Sequence, residues 1–208
     1  MCVDKVFNLV YNVSMKNKII LTDVDGVTCD WEYAFDVWMR EHGFNKVEGG
    51  NLKYDISKRY NIDKEQAKKL IRIFNESAAI GFLPPLRDAM FYIKRLHEEH
   101  GYVFHAITSL SKDENAQELR RMNLRKLFGE TAFEKFVFLD TGADKDAALE
   151  PYRGSGLYWI EDKKINCEVG YELGLKSILM EHGHSLDYNN PNIPVVKNWK
   201  EIYNIIVG

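Results

Sequence analysis

The sequence predicts an α/β fold with a Rossmann-like, doubly wound and mainly parallel sheet. Short apolar runs alternate with amphipathic segments from residue 102 onward, and this alternation is typical of a parallel sheet covered on both faces. Polar turns follow the apolar runs directly, as at residues 23–26 after the run 19–22. The length of 208 residues suits one domain that carries a small insertion.

Composition narrows the class of protein. Hydrophobic residues make up 45% of the chain and charged residues 28%, values that exclude a disordered or low-complexity protein. The net charge of −3 argues against general nucleic-acid binding. The cysteines are Cys2, Cys29 and Cys167, without a CxxC pair, which favours a reducing compartment. No apolar run is long enough to cross a membrane, so we expect a cytoplasmic protein.

The first half of the chain predicts a helical insertion after the first strand. Aromatic residues at helical spacing predict a helix over 31–42, which Gly43 ends, and residues 44–54 read as a loop. Asp63 with Gln66 forms a capping-box variant that starts a helix extending to Asn75. We therefore predict a small helical cap over 30–81, an α/β core over 16–29 and 82–208, and an N-terminal extension over 1–15.

The second half predicts the remaining strands and helices. Ser111 with Glu114 forms a capping box for a helix that ends near Gly129. The predicted strands cover residues 102–107, 136–139, 157–160, 176–180 and 194–196. The other predicted helices cover a segment from the Pro84-Pro85 break to residue 100, residues 145–150, a segment ending near 174, and residues 199–206.

Carboxylates and hydroxyls follow the strands at the point where each one ends. They are Asp23 and Asp25, Thr108 and Ser109, Asp140 and Thr141, and Glu161 and Asp162. Parallel α/β sheets bind ligands beyond the carboxyl ends of their strands. We therefore expect these side chains to form one site.

The aspartates in this set predict a magnesium site. Two like charges about 4 Å apart cost roughly 4 kcal/mol at an effective dielectric constant near 20. A hard divalent cation relieves the repulsion between Asp23, Asp25 and Asp162, and Mg²⁺ prefers such oxygen ligands. The alternative is a set of turn-forming and helix-capping aspartates.

Four segments together resemble the motifs of the haloacid dehalogenase (HAD) superfamily. The first is Asp23-Val24-Asp25-Gly26-Val27 after an apolar strand, and the second is Ile107-Thr108-Ser109. Lys145 in the segment 144–149 resembles the third, and Trp159-Ile160-Glu161-Asp162 resembles the fourth. The motifs occur in order, and the resemblance spans residues 18 to about 205.

The resemblance implies a role for each of these residues. Asp23 would be the nucleophile that forms an aspartyl-phosphate. Asp25 would protonate the leaving oxygen and then activate the hydrolytic water. Thr108 would bind a phosphoryl oxygen, and Lys145 would neutralise charge on Asp23 and the phosphoryl group. Lys112 or Lys163 could take the role of Lys145.

The resemblance also implies a metal site and a reaction class. Mg²⁺ would be held by the Asp23 carboxylate, the Asp25 main-chain carbonyl and Asp162. Glu161 and Asn166 would support the site from behind, and Glu161 could instead only cap the following helix. Dehalogenases of this superfamily lack an acid at the place of Asp25, so its presence favours phosphoryl transfer over carbon–halogen cleavage.

Further segments resemble the 5′(3′)-deoxyribonucleotidase group and point to a nucleoside monophosphate substrate. Residues 82–89, the Thr108-Ser109 pair and the Glu161-Asp162 pair carry this resemblance. Trp31 would stack on the base, and Ser109 would bind the substrate together with Thr108 and Lys145. Base stacking is worth about 1–3 kcal/mol.

The sequence also allows other substrates and a non-catalytic role. The phosphate ester could be a sugar phosphate or a nucleic-acid 3′-phosphate, and the chain could be a non-catalytic binding protein with the same fold. We interpret His182-Gly183-His184 as a solvated polar loop, and Arg120-Arg121 with Arg125-Lys126 as a solvated helix face.

Overall fold

A computed structural model describes residues 18–208 of the chain. The predicted extension over 1–15 and Cys2 lie outside the described residues. Six parallel strands form one sheet in the order β3-β2-β1-β4-β5-β6. The strands are β1 Ile19–Thr22, β2 Val103–Ser109, β3 Phe133–Leu139, β4 Tyr158–Glu161, β5 Lys176–Met180 and β6 Val195–Val196. The predicted doubly wound α/β fold is confirmed.

Helices connect the strands and fill the insertion. They are α1 Trp31–Glu41, α2 Ile56–Tyr60, α3 Lys64–Asn75, α4 Ala89–Glu98, α5 Glu114–Phe128, α6 Asp146–Leu149, α7 Lys164–Glu172 and α8 Trp199–Val207. Short 3₁₀ turns occupy Gly50–Leu52, Ala78–Phe82 and Glu150–Tyr152. Within residues 18–208, no helix has both the length and the apolar character needed to cross a membrane.

The central strand β1 contributes to hydrophobic clusters on both faces of the sheet. Ile20 packs in the cluster that contains Trp199 of α8, whereas Leu21 packs with Leu173 near the end of α7. Successive side chains of a strand point to opposite faces, so helices cover the sheet on both sides. β1 pairs with β2 and with β4. The loop that follows β1 therefore starts beside the ends of these neighbours.

Aromatic residues of the segment 30–81 pack together and join the main hydrophobic core. Phe35 of α1 and Phe74 of α3 are fully buried, and their rings meet edge to face at 5.3 Å. Asp63 caps α3 as predicted, because its side chain accepts a hydrogen bond from the Gln66 amide. The short helix α2 lies where no helix was predicted. Asp55 caps its first turn, and Asn61 ends it in a left-handed conformation.

Candidate active site

A tight turn after β1 presents the first two aspartates. The Val24 carbonyl accepts hydrogen bonds from the amides of Thr28 and Cys29, both at 2.9 Å, and the Gly26 amide donates to the Cys29 carbonyl. Gly26 has φ +76°, and a side chain there would collide with the Asp162 carboxyl. Only glycine therefore fits this turn, which brings residue 26 against the end of β4.

Lys145 connects two of the predicted carboxylates. Its Nζ lies 2.8 Å from Asp23 Oδ2 and 2.8 Å from Glu161 Oε2. The side chain is only 2% exposed, although it belongs to the residue that precedes the short helix α6. Burial alone would lower the pKa of Lys145, but Asp23 and Glu161 together raise it above its ordinary value. Of the alternative lysines, Lys163 lines the same cavity, whereas Lys112 is exposed.

Glu161 uses both carboxylate oxygens within the protein. Its Oε1 accepts from the amides of Asp162 and Lys163, both at 3.0 Å. Its Oε2 accepts from Lys145 and, at 3.2 Å, from the Asn166 side chain. Burial would raise the pKa of Glu161, but Lys145 and these hydrogen bonds lower it below its ordinary value. Glu161 thus fixes the turn that leads into α7 and also fixes Lys145, and it has little capacity left for a metal ion.

The acidic cluster at the strand ends fits a small divalent cation. Oxygens of Asp23, Glu161 and Asp162 lie within 4.8 Å of one another. Burial, with Glu161 and Asp23 nearby, raises the pKa of Asp162 well above its ordinary value. Burial also raises the pKa of Asp23 to about 7, although Lys145 opposes the shift. A cation such as Mg²⁺ would offset this repulsion, and Asp23 and Asp162 are the carboxylates placed to bind it.

The two hydroxyls at the end of β2 have different surroundings. Thr108 is buried, and its Oγ1 finds no hydrogen-bond partner among residues 18–208, although it borders the cavity. Ser109 donates from Oγ to the Ala143 carbonyl at 2.8 Å, so its hydroxyl proton is used to hold the loop before Lys145. An unpartnered buried hydroxyl is costly. Thr108 is therefore the hydroxyl that is free to bind a ligand.

Arg120 of α5 corrects the interpretation of the basic stripe as a solvated face. Arg120 has no exposed surface, and its Nη1 donates to Asp25 Oδ1 at 2.6 Å. The sequence could not separate it from its neighbour Arg121, because both residues lie in the same polar run. Only the direction in which α5 packs on the sheet decides that Arg120 points inward.

The histidines after β5 also differ from the prediction of a solvated loop. His182 and His184 both line the cavity, and the side chain of His184 is 11% exposed. His182 Nε2 lies 2.7 Å from the Gly26 carbonyl, and His184 Nε2 lies 3.8 Å from Asp162 Oδ2. The sequence drew attention to His182-Gly183-His184, because two histidines so close together can form a site. Nothing in the sequence placed this loop beside β4.

The insertion closes one side of the cavity, whose volume is about 530 Å³. Trp31 borders it, and its ring stacks on Phe35 with the centroids 4.5 Å apart. The Trp31 indole also donates to Asn75 Oδ1 at 2.9 Å. Tyr54 also lines the cavity, and its ring lies 5.0 Å from the His184 ring, centroid to centroid. One face of the Trp31 ring is thus occupied by Phe35.

The arrangement combines a carboxylate paired with a buried lysine, a second carboxylate for a cation and a free hydroxyl. Such a site can bind an anion that carries its own oxygen atoms and can present Asp23 to it as a nucleophile. The predicted site residues Asp23, Asp25, Trp31, Thr108, Ser109, Lys145, Glu161, Asp162 and Asn166 all line this cavity.

Comparison with solved structures identifies the fold as that of haloacid dehalogenase-like hydrolases. A haloacid dehalogenase-like family protein, SP0104 from Streptococcus pneumoniae, is 16% identical and superposes with a TM-score of 0.61, covering 92% of this chain and 99% of its own. CbbY from Rhodobacter sphaeroides, solved in complex with phosphate, is 16% identical with a TM-score of 0.57 and coverages of 89% and 96%. At these identities the likeness concerns the fold.

The chain is also similar to a solved phosphatase structure and to a phage protein. The D,D-heptose 1,7-bisphosphate phosphatase of B. bronchiseptica, complexed with magnesium and phosphate, is 10% identical with a TM-score of 0.58, over 91% of this chain and 98% of its own. An uncharacterized 32.4 kDa protein from the Gp30-rIII intergenic region of enterobacteria phage T4 is 29% identical over 164 residues. The match covers 74% of this chain and 57% of the phage protein. No family model matches the chain.

Proposed function

We propose that this protein is a magnesium-dependent phosphomonoesterase that works through an aspartyl-phosphate on Asp23. The observation that carries the proposal is the unpartnered Thr108 hydroxyl, which is buried in the cavity that also holds the Asp23–Lys145 pair. A phosphoryl oxygen would accept the hydrogen bond that Thr108 lacks. Lys145 would neutralise the negative charge that gathers when a phosphate approaches a carboxylate.

The first half of the reaction transfers the phosphoryl group to Asp23. A carboxylate oxygen of Asp23 attacks phosphorus, and the bond from phosphorus to the ester oxygen breaks. Asp25 gives its proton to the departing alkoxide, so that the alcohol leaves neutral. Lys145 and Thr108 hold the transferred group in line with Asp23.

The second half releases phosphate. Asp25, now ionised, accepts a proton from water, and the water oxygen attacks phosphorus. The bond between phosphorus and Asp23 breaks, which restores the carboxylate and frees inorganic phosphate. When bound by Asp23 and Asp162, Mg²⁺ would supply charge that favours the approach of two anions. Glu161 keeps Lys145 and the start of α7 in place during both steps.

The fold neighbours support this class of reaction. One is named as a bisphosphate phosphatase and is complexed with magnesium and phosphate, and another is complexed with phosphate. The acid at position 25, which lies two residues after Asp23, supports hydrolysis of a phosphate ester rather than of a carbon–halogen bond.

The substrate that we assign is a nucleoside monophosphate, and the insertion over 30–81 acts as its cap. The cavity of about 530 Å³ is of the size that takes a small organic ligand. Its wall includes the aromatic residues Trp31 and Tyr54. Because Phe35 covers one face of Trp31, a base would stack on the other face or on Tyr54.

The test is phosphate release from a panel of nucleoside monophosphates, sugar phosphates and p-nitrophenyl phosphate, with Mg²⁺ and with EDTA. We expect Mg²⁺-dependent turnover that is strongest on nucleoside monophosphates. Asp23→Asn should abolish turnover, and acid quenching of the wild type with a labelled substrate should trap phosphate on Asp23. Intact turnover in Asp23→Asn would disprove the assignment of the nucleophile.

A second comparison tests the substrate class separately from the chemistry. Trp31→Ala should lower turnover of nucleoside monophosphates more than that of p-nitrophenyl phosphate, by about 10-fold if stacking contributes 1–2 kcal/mol. Equal losses on both would remove the role of Trp31 in base binding. Turnover confined to sugar phosphates or nucleic-acid 3′-phosphates would keep the mechanism and reject the nucleotide. No Mg²⁺-dependent turnover on any ester would favour a binding protein.

A further inference from the structure

Arg120 is a buried charge that the proposed reaction does not use. It lies on α5 with no exposed surface, and its Nη1 donates to Asp25 Oδ1 at 2.6 Å. Its Nε and Nη2 find no hydrogen-bond partner among the residues that the structure describes. Asp25 is the residue to which we assign the transfer of protons.

Stability does not account for this ion pair. Burial removes the guanidinium from water, and the attraction of one carboxylate offsets that cost only when the other N–H groups are also bonded. Two nitrogens of Arg120 lack partners. An apolar side chain of similar volume would fill the same space without leaving buried N–H groups unbonded. The pair therefore calls for a function, and its contact points to Asp25.

The backbone of Asp25 is already fixed by the turn after β1. Asp25 forms a β-bridge with Cys29, and the next amide, from Gly26, donates to the Cys29 carbonyl. The side-chain torsions are thus the freedom that Asp25 retains. The contact of Arg120 with Oδ1 restricts them, while Asp25 still lines the cavity.

We infer that Arg120 is a positioning residue, which orients the Asp25 carboxyl so that its second oxygen reaches the ester oxygen of the substrate. This inference rests on the proposed function. Proton transfer depends on short, directed contacts, and a misplaced acid loses much of its effect. Arg120 comes from α5, the helix that directly follows the strand carrying Thr108. One strand–helix unit therefore holds both the phosphoryl group and its acid.

The test compares two esters that differ in their need for an acid. A nucleoside monophosphate releases an alkoxide that requires a proton, whereas p-nitrophenyl phosphate releases a phenolate that leaves without one. The constant kcat/KM reports the steps up to release of the leaving group. We expect Arg120→Met to lower kcat/KM on the nucleotide by about 10- to 100-fold, a part of the roughly 10²- to 10⁴-fold that general acid catalysis contributes. On p-nitrophenyl phosphate the loss should stay below about threefold.

Further variants distinguish a positioning role of Arg120 from a structural one. Arg120→Lys keeps the charge and should restore part of the loss, and it replaces Arg120→Met if that variant does not fold by circular dichroism. In the background of Asp25→Asn, Arg120→Met should add no further loss on the nucleotide. Arg121→Met is the matched control, because Arg121 lies next on α5 and pairs with Glu118 instead. Its kcat/KM should equal that of the wild type.

Failure of the Arg120 inference and failure of the proposed function would give different results. Equal losses on both esters, or a loss that adds fully to that of Asp25→Asn, would mean that Arg120 only supports the fold, and would overturn the inference alone. A wild-type protein that turns over neither ester would overturn the proposed function and this inference with it.

Discussion

Asp162 is partly buried beside two other carboxyls, and this placement destabilises the metal-free protein. Burial, together with Glu161 and Asp23, raises the pKa of Asp162 well above its ordinary value. A group whose pKa rises on folding contributes its stability at low pH and loses it as the pH climbs through the folded pKa. At neutral pH, Asp162 therefore costs stability unless a cation binds.

Removing this charge should stabilise the empty site and abolish its response to metal. In EDTA at pH 7.5, we expect Asp162→Asn to unfold at a temperature at least about 2–4 °C above that of the wild type, the shift that 1 kcal/mol gives for a chain of this size. Saturating Mg²⁺ should raise the unfolding temperature of the wild type and leave that of the variant unchanged. Calorimetry measures both.

An exposed aspartate provides the control for this experiment. Asp187 pairs with Lys164 at the surface, and Asp187→Asn should retain the full response to Mg²⁺. A lower unfolding temperature of Asp162→Asn in EDTA would show that the Asp162 carboxyl stabilises the empty site, against the direction of its pKa shift.

Lys145 should affect stability in the opposite direction, because it separates two buried carboxylates. Replacing it leaves Asp23 and Glu161 without their shared partner. Removal of one member of a buried pair costs about 3–5 kcal/mol, so Lys145→Met should lower the free energy of unfolding by about that amount in urea denaturation. Lys163→Met is the control within the same cavity and should cost under about 1 kcal/mol. Comparable losses would assign the role to both lysines.

At the scale of the element, the start of α5 shows where sequence patterns reach their limit. The predicted capping box of Ser111 and Glu114 is wrong, because Asp113 caps the helix and its side chain accepts from the Ala116 amide at 2.7 Å. The Ser111 hydroxyl instead donates to Glu76. Ser111 and Asp113 are both good capping residues, and the partner that decides between them lies 35 positions earlier in the chain.

The contribution of the Asp113 cap to stability can be measured directly. Asp113→Ala should lower the free energy of unfolding by about 1 kcal/mol, the usual cost of a lost helix cap. Asp113→Asn keeps an oxygen acceptor at the same place and should cost less than half as much. Urea denaturation measures both. An equal effect of the two variants would mean that the charge of Asp113, and not its hydrogen bond, stabilises α5.

The other boundaries are predicted well where local residues define them and less well where distant partners do. The helices over 31–41 and 64–75 lie within a residue or so of the predicted ranges, because apolar spacing and end residues define them locally. β3 begins at Phe133, three residues earlier than predicted, and β2 continues to Ser109. Their extra residues are added by pairing with each other. The helix α2 is too short for a periodic signal, so the sequence could not reveal it.

At the scale of the whole molecule, the sequence predicted the carboxylates, hydroxyls and lysine of the site but not the arginine and histidines beside them. Asp23, Glu161 and Asp162 could be placed together because they follow strands whose ends meet at one edge. Arg120 and His184 could not. Arg120 contacts Asp25 from a helix and His184 lines the cavity from a loop, and the direction of each side chain depends on packing. The roles of all these residues stay predictions until the variants are assayed.

The stability of the whole chain should depend on pH through Asp23. Burial raises the pKa of Asp23 to about 7, so its contribution is present at acid pH and is lost as the pH rises through about 7. The lowered pKa values of His182 and His184 act in the opposite direction below pH 6.5. Comparison with Asp23→Asn isolates the carboxyl, since both proteins share the histidines.

We expect the unfolding temperature of Asp23→Asn minus that of the wild type to increase between pH 5 and pH 8 in EDTA. Over this range only the wild type must ionise the Asp23 carboxyl, whereas Asp162 is present in both proteins. Thermal unfolding followed by circular dichroism measures the difference. A difference that stays constant with pH would mean that Lys145 keeps Asp23 ionised throughout.

The position of β1 at the centre of the sheet also has a consequence for synthesis on the ribosome. β1 emerges before the other five described strands, yet β4, its partner on one side, follows more than a hundred residues later. Until β4 is synthesised, Asp23 lacks the neighbouring strand end that carries Glu161 and Asp162. A nascent chain therefore brings Asp23, Lys145, Glu161 and Asp162 together only after β4 has been added, and binding of a phosphate analogue would report the assembly of this site during translation.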